Sequence, residues 1–145
     1  MIVIEHKQER PQNLAGLYRD SITLGWEDRR KSRQKLTTRS GLEIALALPT
    51  GSILEDGDII YLDKERYVAV EAAPEDVLCI YPDRPEDYAL AAYEIGNRHL
   101  PLSIAHDSLC TPFEPMLETH LKKHGLRCEC RSMPFEPLRK GHSHG

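Results

Sequence analysis

A chain of 145 residues with 40% hydrophobic and only 6% aromatic residues can pack one core or two thin ones, and thin cores are commonly supplemented by association. Its formal net charge of -4 argues against nucleic acid as the main partner. No apolar run approaches membrane-spanning length, and Met1-Ile2-Val3-Ile4-Glu5 lacks the pattern of a signal peptide, so a cytoplasmic protein without membrane contact is expected.

Taken in chain order, residues 1–73 read as β-rich. Ile2-Val3-Ile4 predicts a short strand. Residues 21–26 alternate, with Ile22, Leu24 and Trp26 on one side. Residues 36–39 lead to a turn at Ser40-Gly41, and residues 42–48 alternate with Leu42, Ile44, Leu46 and Leu48 inward. Glu55-Asp56-Gly57-Asp58 is a tight turn before Ile59-Ile60-Tyr61-Leu62, and Asp63-Lys64-Glu65 turns into residues 66–71. Short strands punctuated by Gly and Pro predict a small β-sandwich or barrel. The basic run Arg29-Arg30-Lys31-Ser32-Arg33-Gln34-Lys35 suits a solvated hairpin or a patch for acidic partner proteins. No aromatic residues interleave its charges, which disfavours nucleic acid.

Residues 74–135 change character. Residues 75–82 form an apolar strand, and residues 85–95 a helix with proline and carboxylates in its first turn and Gly96 as its left-handed stop. Extended segments follow at 100–104 and 108–111. Residues 113–125 predict a second helix with Phe113, Met116, Leu117 and Leu121 on one face and Gly125 as cap, and residues 126–135 a last strand. The order βαββαβ is that of a ferredoxin-like sandwich. The fold class is therefore α+β. A small all-β domain spans 1–73, a ferredoxin-like domain spans 74–135, and residues 136–145 form a Pro-, Gly-, Ser- and His-containing tail expected to be disordered.

His99 sits on the connection leaving the first of these helices. The helix dipole there favours a cation, and neutral imidazole is a good ligand for nickel, copper or zinc. The alternative reading is a histidine that only hydrogen-bonds in a turn. His142 and His144 form a second imidazole source in the tail. His120 and His124 share one side of the second helix, with Lys122 and Lys123 opposing a cation there, while His106 and Asp107 lie in a polar loop and His6 carries no signal. Among the four cysteines no pair has CxxC spacing. Cys79 and Cys110 lie in apolar stretches where cysteine packs as a small hydrophobe, and Cys128 and Cys130 would share a strand face, as soft-metal ligands or as free thiols.

The stretch Ile95-Gly96-Asn97-Arg98-His99-Leu100-Pro101-Leu102 resembles the signature of the UreE family of urease accessory nickel metallochaperones. Ahead of it, residues 24–33, Thr38-Arg39-Ser40-Gly41-Leu42-Glu43-Ile44-Ala45-Leu46 and Leu54-Glu55-Asp56-Gly57-Asp58 resemble segments of the same family in the same order. The resemblance implies a peptide- or partner-binding β domain at 1–73, followed by a ferredoxin-like metal-binding and dimerisation domain at 74–135. It implies that His99 is the central nickel ligand, given by each subunit of a homodimer, that a flexible tail carries histidines, and that zinc and copper compete for the site. The implied partners are apo-urease and other urease accessory proteins, including the GTPase. Some members carry an extra histidine pair near the second helix, where this chain has Cys110-Thr111-Pro112-Phe113-Glu114.

Two other classes stand beside this one. A small metal-dependent hydrolase would need three fixed ligands and an open position in each subunit. A peptide-binding adaptor built on residues 1–73 would bind metal incidentally. The sequence offers no nucleophile-base pair, phosphate loop or paired carboxylates, so no enzyme is expected.

Overall fold

A computed structural model describes residues 1–9 and 13–138. Met1–Ala73 and Pro74–Gly145 form two compact units.

The first unit holds two three-stranded sheets. In one, β4 (Glu43–Ala47) lies between β1 (Ile2–Ile4), which is parallel to it, and β3 (Arg33–Thr37), which is antiparallel. In the other, β6 (Arg66–Ala72) lies between β2 (Tyr18–Leu24), parallel, and β5 (Ile59–Leu62), antiparallel. The alternation read from the sequence supplies the core. Ile22, Leu24, Ile44, Leu46, Leu48, Leu54, Ile60, Val68 and Val70 form one buried cluster.

Two sequence expectations in this unit are corrected. The strand through residue 22 ends at Leu24, so Trp26 opens a four-residue helix, α1 (Trp26–Arg29), and is only half-buried. That helical turn tucks Arg29 inward, to 2% exposure, where its Nε donates to the Leu24 carbonyl at 3.3 Å. The basic run is therefore no uniform solvated patch. Arg30 stacks 5.5 Å from the Trp26 ring and Lys31 pairs with Asp28 at 2.8 Å, while the period of β3 leaves Arg33 and Lys35 exposed.

Asp20 is a buried structural node. Its carboxylate accepts from the Thr38 hydroxyl at 2.6 Å, the Ser40 hydroxyl at 2.5 Å, and the Ser21 and Ser40 backbone N–H groups. Burial alone would raise its pKa; the hydrogen bonds outweigh that and hold it below the usual carboxylate range. The Asp56-Gly57-Asp58 turn is likewise structural. Gly57 has φ 85°, Asp58 accepts from the Glu55 N–H at 2.7 Å, and Asp56 accepts from the Ala72 N–H at 2.9 Å.

The second unit runs β7 (Glu75–Tyr81), α2 (Pro85–Asn97), β8 (Ser103–Ile104), β9 (Leu109–Pro112), α3 (Pro115–Lys123) and β10 (Arg127–Met133). Its sheet has the order β10-β7-β9-β8 with every neighbour antiparallel, the ferredoxin-like arrangement expected from the βαββαβ order. One face carries Leu78, Ile80, Leu109 and Cys128, packed with Ala91 and Ile95 of α2 and Leu117 and Leu121 of α3. Met116, expected on that apolar face, is 75% exposed. Helix α3 starts at Pro115, two residues later than the pattern suggested, and Glu114 caps it by accepting from the Met116 and Leu117 N–H groups at 3.1 and 2.6 Å.

After β10, at one sheet edge, residues 134–138 carry the chain to the opposite edge. Phe135 is 1% exposed, and the Leu138 N–H donates to the Leu102 carbonyl, beside β8, at 2.7 Å. Glu136 to Leu138, read with the tail in the sequence, are thus described and tied back. The tail histidines His142 and His144 lie outside the described residues. No helix among the described residues is long and apolar enough to cross a membrane.

Candidate functional site

Helix α2 begins where the sequence requires. Pro85 sits in the first turn with Glu86 and Asp87, and Arg84 pairs with Asp87 at 3.2 Å. Its end differs from the expectation. Gly96 is helical, and the left-handed residue is His99, at φ 57°. The His99 N–H donates to the Gly96 carbonyl at 3.0 Å and the Leu100 N–H to the Ile95 carbonyl at 3.2 Å. This is a Schellman motif with His99 in the position that glycine usually takes. Leu100 and Ile95 also share one apolar cluster, in keeping with the motif's usual apolar partnership.

Helix α3 ends in the same motif with the usual residue. Gly125 has φ 80°, its N–H donates to Lys122, and the Leu126 N–H donates to Leu121 at 3.0 Å. Among the described residues His99 is the one non-glycine residue with positive φ. A Cβ in this region costs about 1 kcal/mol or more. Backbone strain of this kind concentrates at functional positions. His99 is exposed, so its imidazole is presented to solvent at the negative end of α2.

Behind it, Arg98 donates from one guanidinium nitrogen to the Glu94 carboxylate at 2.6 Å and to the Glu94 carbonyl at 3.3 Å. The same carboxylate lies 3.4 Å from His120 Nε2 on α3. The Arg98 hydrogen bond, with help from the His120 side, holds the Glu94 carboxyl below its ordinary pKa. This network ties α2 to α3 and fixes the turn that carries His99. It also borders an open cleft of about 330 Å³ lined by Arg98, Pro115, Met116, Thr119, His120 and Lys123. Composition and helical periodicity give Glu94 no role; its spacing from Arg98, four residues on the same helix, is the signal that marks the pair.

The other candidates disperse. His106 and Asp107 are exposed in the loop between β8 and β9, and His6 is exposed in the other unit. His120 and His124 stack edge to face at 4.6 Å, with His120 engaged by Glu94. Cys128 is buried in the helix-side core while Cys130 is exposed. Cys79 and Cys110 are buried, their sulfurs 3.5 Å apart, and burial together with the neighbouring thiol pushes Cys79 up to about 12. Among the described residues no three His, Cys, Asp or Glu side chains converge so as to hold a metal ion.

Two family models cover the chain in order. One described as the N-terminal domain of UreE urease accessory protein matches residues 3–73, and one described as its C-terminal domain matches residues 75–145. Relatives named urease accessory protein UreE include one from Paraburkholderia xenovorans, 43% identical over 129 residues, which cover 86% of this chain and 57% of the relative. Another from Burkholderia ambifaria is 37% identical over 86% of this chain and 64% of its own length, and one from Cupriavidus necator is 36% identical over 86% and 67%. The matched stretch thus spans less than two thirds of the first two relatives. Matched over both halves, and at this level of identity, the chain belongs to the UreE urease accessory protein family.

Proposed function

We propose that this chain is a nickel-carrying chaperone that delivers the ion to apo-urease in the cytoplasm, together with other urease accessory proteins including the GTPase. The role is accessory and not catalytic. The observation that carries the reading is His99, an exposed imidazole held in a left-handed turn where a glycine would be less strained.

One imidazole is too few donors for nickel. A two-fold axis beside His99 supplies a second from another copy of the chain. The outer stripe of α2 suits such an approach, because Ala89, Tyr93, Gly96 and Asn97 are all exposed and two of them are small. Tyr93 is 66% exposed and Met116 75%, both apolar surface that association would cover. His142 and His144 are the proposed additional ligands. Leu138 is tied to Leu102, three residues from His99, and His142 follows Leu138 by four residues. An extended chain covers about 3.3–3.6 Å per residue, so the tail's length is compatible with reaching His99. A site of few imidazoles at a surface holds an ion that water and other ligands can reach, which suits a carrier that must release it. Residues 1–73 are the proposed partner-binding domain and the unit from Pro74 the metal-binding and dimerisation domain.

The test is activation of metal-free urease with nickel supplied at limiting concentration. The full chain is expected to raise the yield of active urease, and His99→Ala is expected to abolish that gain. Equal activation by His99→Ala would overturn the assignment, and activation that depends only on residues 1–73 would favour the adaptor reading.

A further inference from the structure

The sheet face away from the helices holds a cluster that the nickel reading does not use. Cys79 of β7 and Cys110 of β9 are directly opposed in register on the two central strands. They alternate with Leu78, Ile80 and Leu109 of the helix-side core, so both point to the other face. Their sulfurs are 3.5 Å apart, and Met133, at the end of β10, brings its thioether sulfur to 3.7 Å from Cys79 Sγ. Three sulfurs from three strands therefore meet around Cys79. Cys79 is 3% and Cys110 7% exposed.

We propose that Cys79, Cys110 and Met133 bind one soft monovalent ion, Cu(I), at a site separate from His99. Thiolate and thioether donors select Cu(I), and zinc would want a fourth ligand. A metal–sulfur bond of about 2.3 Å in a three-coordinate plane sets sulfurs about 4 Å apart. The Cys79–Cys110 and Cys79–Met133 separations, 3.5 and 3.7 Å, lie within a few tenths of an ångström of that spacing. Cys110 and Met133 approach from the strands on either side of Cys79, so binding has the Met133 thioether swing toward Cys110 to close the third edge. On binding, two S–H protons leave to solvent as two copper–thiolate bonds form, and the Met133 sulfur donates a lone pair. The ion enters as Cu(I), so no electron is transferred. A site for a thiophilic ion apart from the imidazole site would keep Cu(I) from occupying the nickel ligands.

The experiment is anaerobic titration of the reduced full chain with Cu(I) against bicinchoninate as chromophoric competitor, with X-ray absorption on the one-equivalent sample. The tightest step is expected to hold one Cu(I) per chain with an all-sulfur shell, and to be unchanged in His99→Ala and Cys130→Ala. Loss of an outer group around a metal typically costs 10–100-fold, so loss of a ligand in Cys79→Ala or Cys110→Ala is expected to weaken binding by at least about 100-fold. Met133→Leu keeps the volume and is expected to weaken it about 10-fold with nickel binding intact. Nitrogen in the copper shell, loss of the step in His99→Ala or Cys130→Ala, or full affinity in Cys110→Ala would overturn the proposal. Should the cysteine variants fail to fold, the shell measured on the unaltered chain decides alone.

Discussion

Replacing His99 by glycine should make the metal-free protein more stable than replacing it by alanine. Both changes remove the imidazole, so the comparison isolates the backbone. At φ 57° a Cβ costs about 1–2 kcal/mol, and glycine's greater freedom in the unfolded chain returns about 0.5–1 kcal/mol of that. The net advantage of His99→Gly over His99→Ala is about 0.5–1 kcal/mol. For a unit of this size that is a Tm difference of about 3–6 °C. Gly125 gives the mirror test. It holds the same turn at φ 80°, and a Cβ there would meet nothing within 4 Å, so Gly125→Ala should lose stability by the conformational term alone. The assay is calorimetry with a chelator present, so that metal held by other side chains stabilises neither variant. A His99→Gly variant melting at or below His99→Ala would refute the strained-turn argument.

Three further outcomes follow from the same structure. Asp20→Asn should lower the stability of the first unit by about 1–3 kcal/mol at neutral pH, since it disturbs a buried acceptor of four hydrogen bonds. A carboxyl held below 3.8 stabilises the fold above that pH and loses its contribution as pH falls toward the lower folded value; the gap between the two proteins in urea titrations should therefore narrow from pH 7 to pH 3. Phe135→Ala should destabilise the second unit by about 3–5 kcal/mol, measured by denaturant unfolding, because the ring is 1% exposed. Truncation after Leu138 removes His142 and His144 but keeps the Leu138–Leu102 bond, so equilibrium dialysis should find fewer or more weakly held nickel ions with dimerisation and fold intact.

Much of the fold is written in local chemistry. Proline at the head of α2, Gly125 after α3 and the alternation of residues 42–48 each settle an element without help from the rest of the chain. The end of α2 is different. Gly96 carries the usual signal for a left-handed stop, yet the helix runs on to Asn97, and the stop falls where Leu100 can pack on Ile95. Tertiary burial of that pair outweighs the glycine preference, and no local pattern reveals it. Trp26 and Arg29 depart from the strand alternation for a related reason, since one helical turn changes which side a residue faces. The signature around His99 marks the residue but not its strain. The sulfur cluster needs strand register, because Cys79 and Cys110 are 31 residues apart and become neighbours only through β7 and β9.

The central claim is that two copies of the chain share one nickel ion through His99. Nickel titration on protein whose oligomeric state is followed by sedimentation, repeated between about pH 7.5 and about pH 5.5, tests it most directly. Imidazole binds metal only when neutral and titrates near pH 6.5, whereas carboxylates titrate near pH 4. One tightly held ion per two chains is expected, absent in His99→Ala, with affinity falling steeply toward the acid end. Tight binding that saturates at one ion per chain, or that persists unchanged at about pH 5.5, would contradict it.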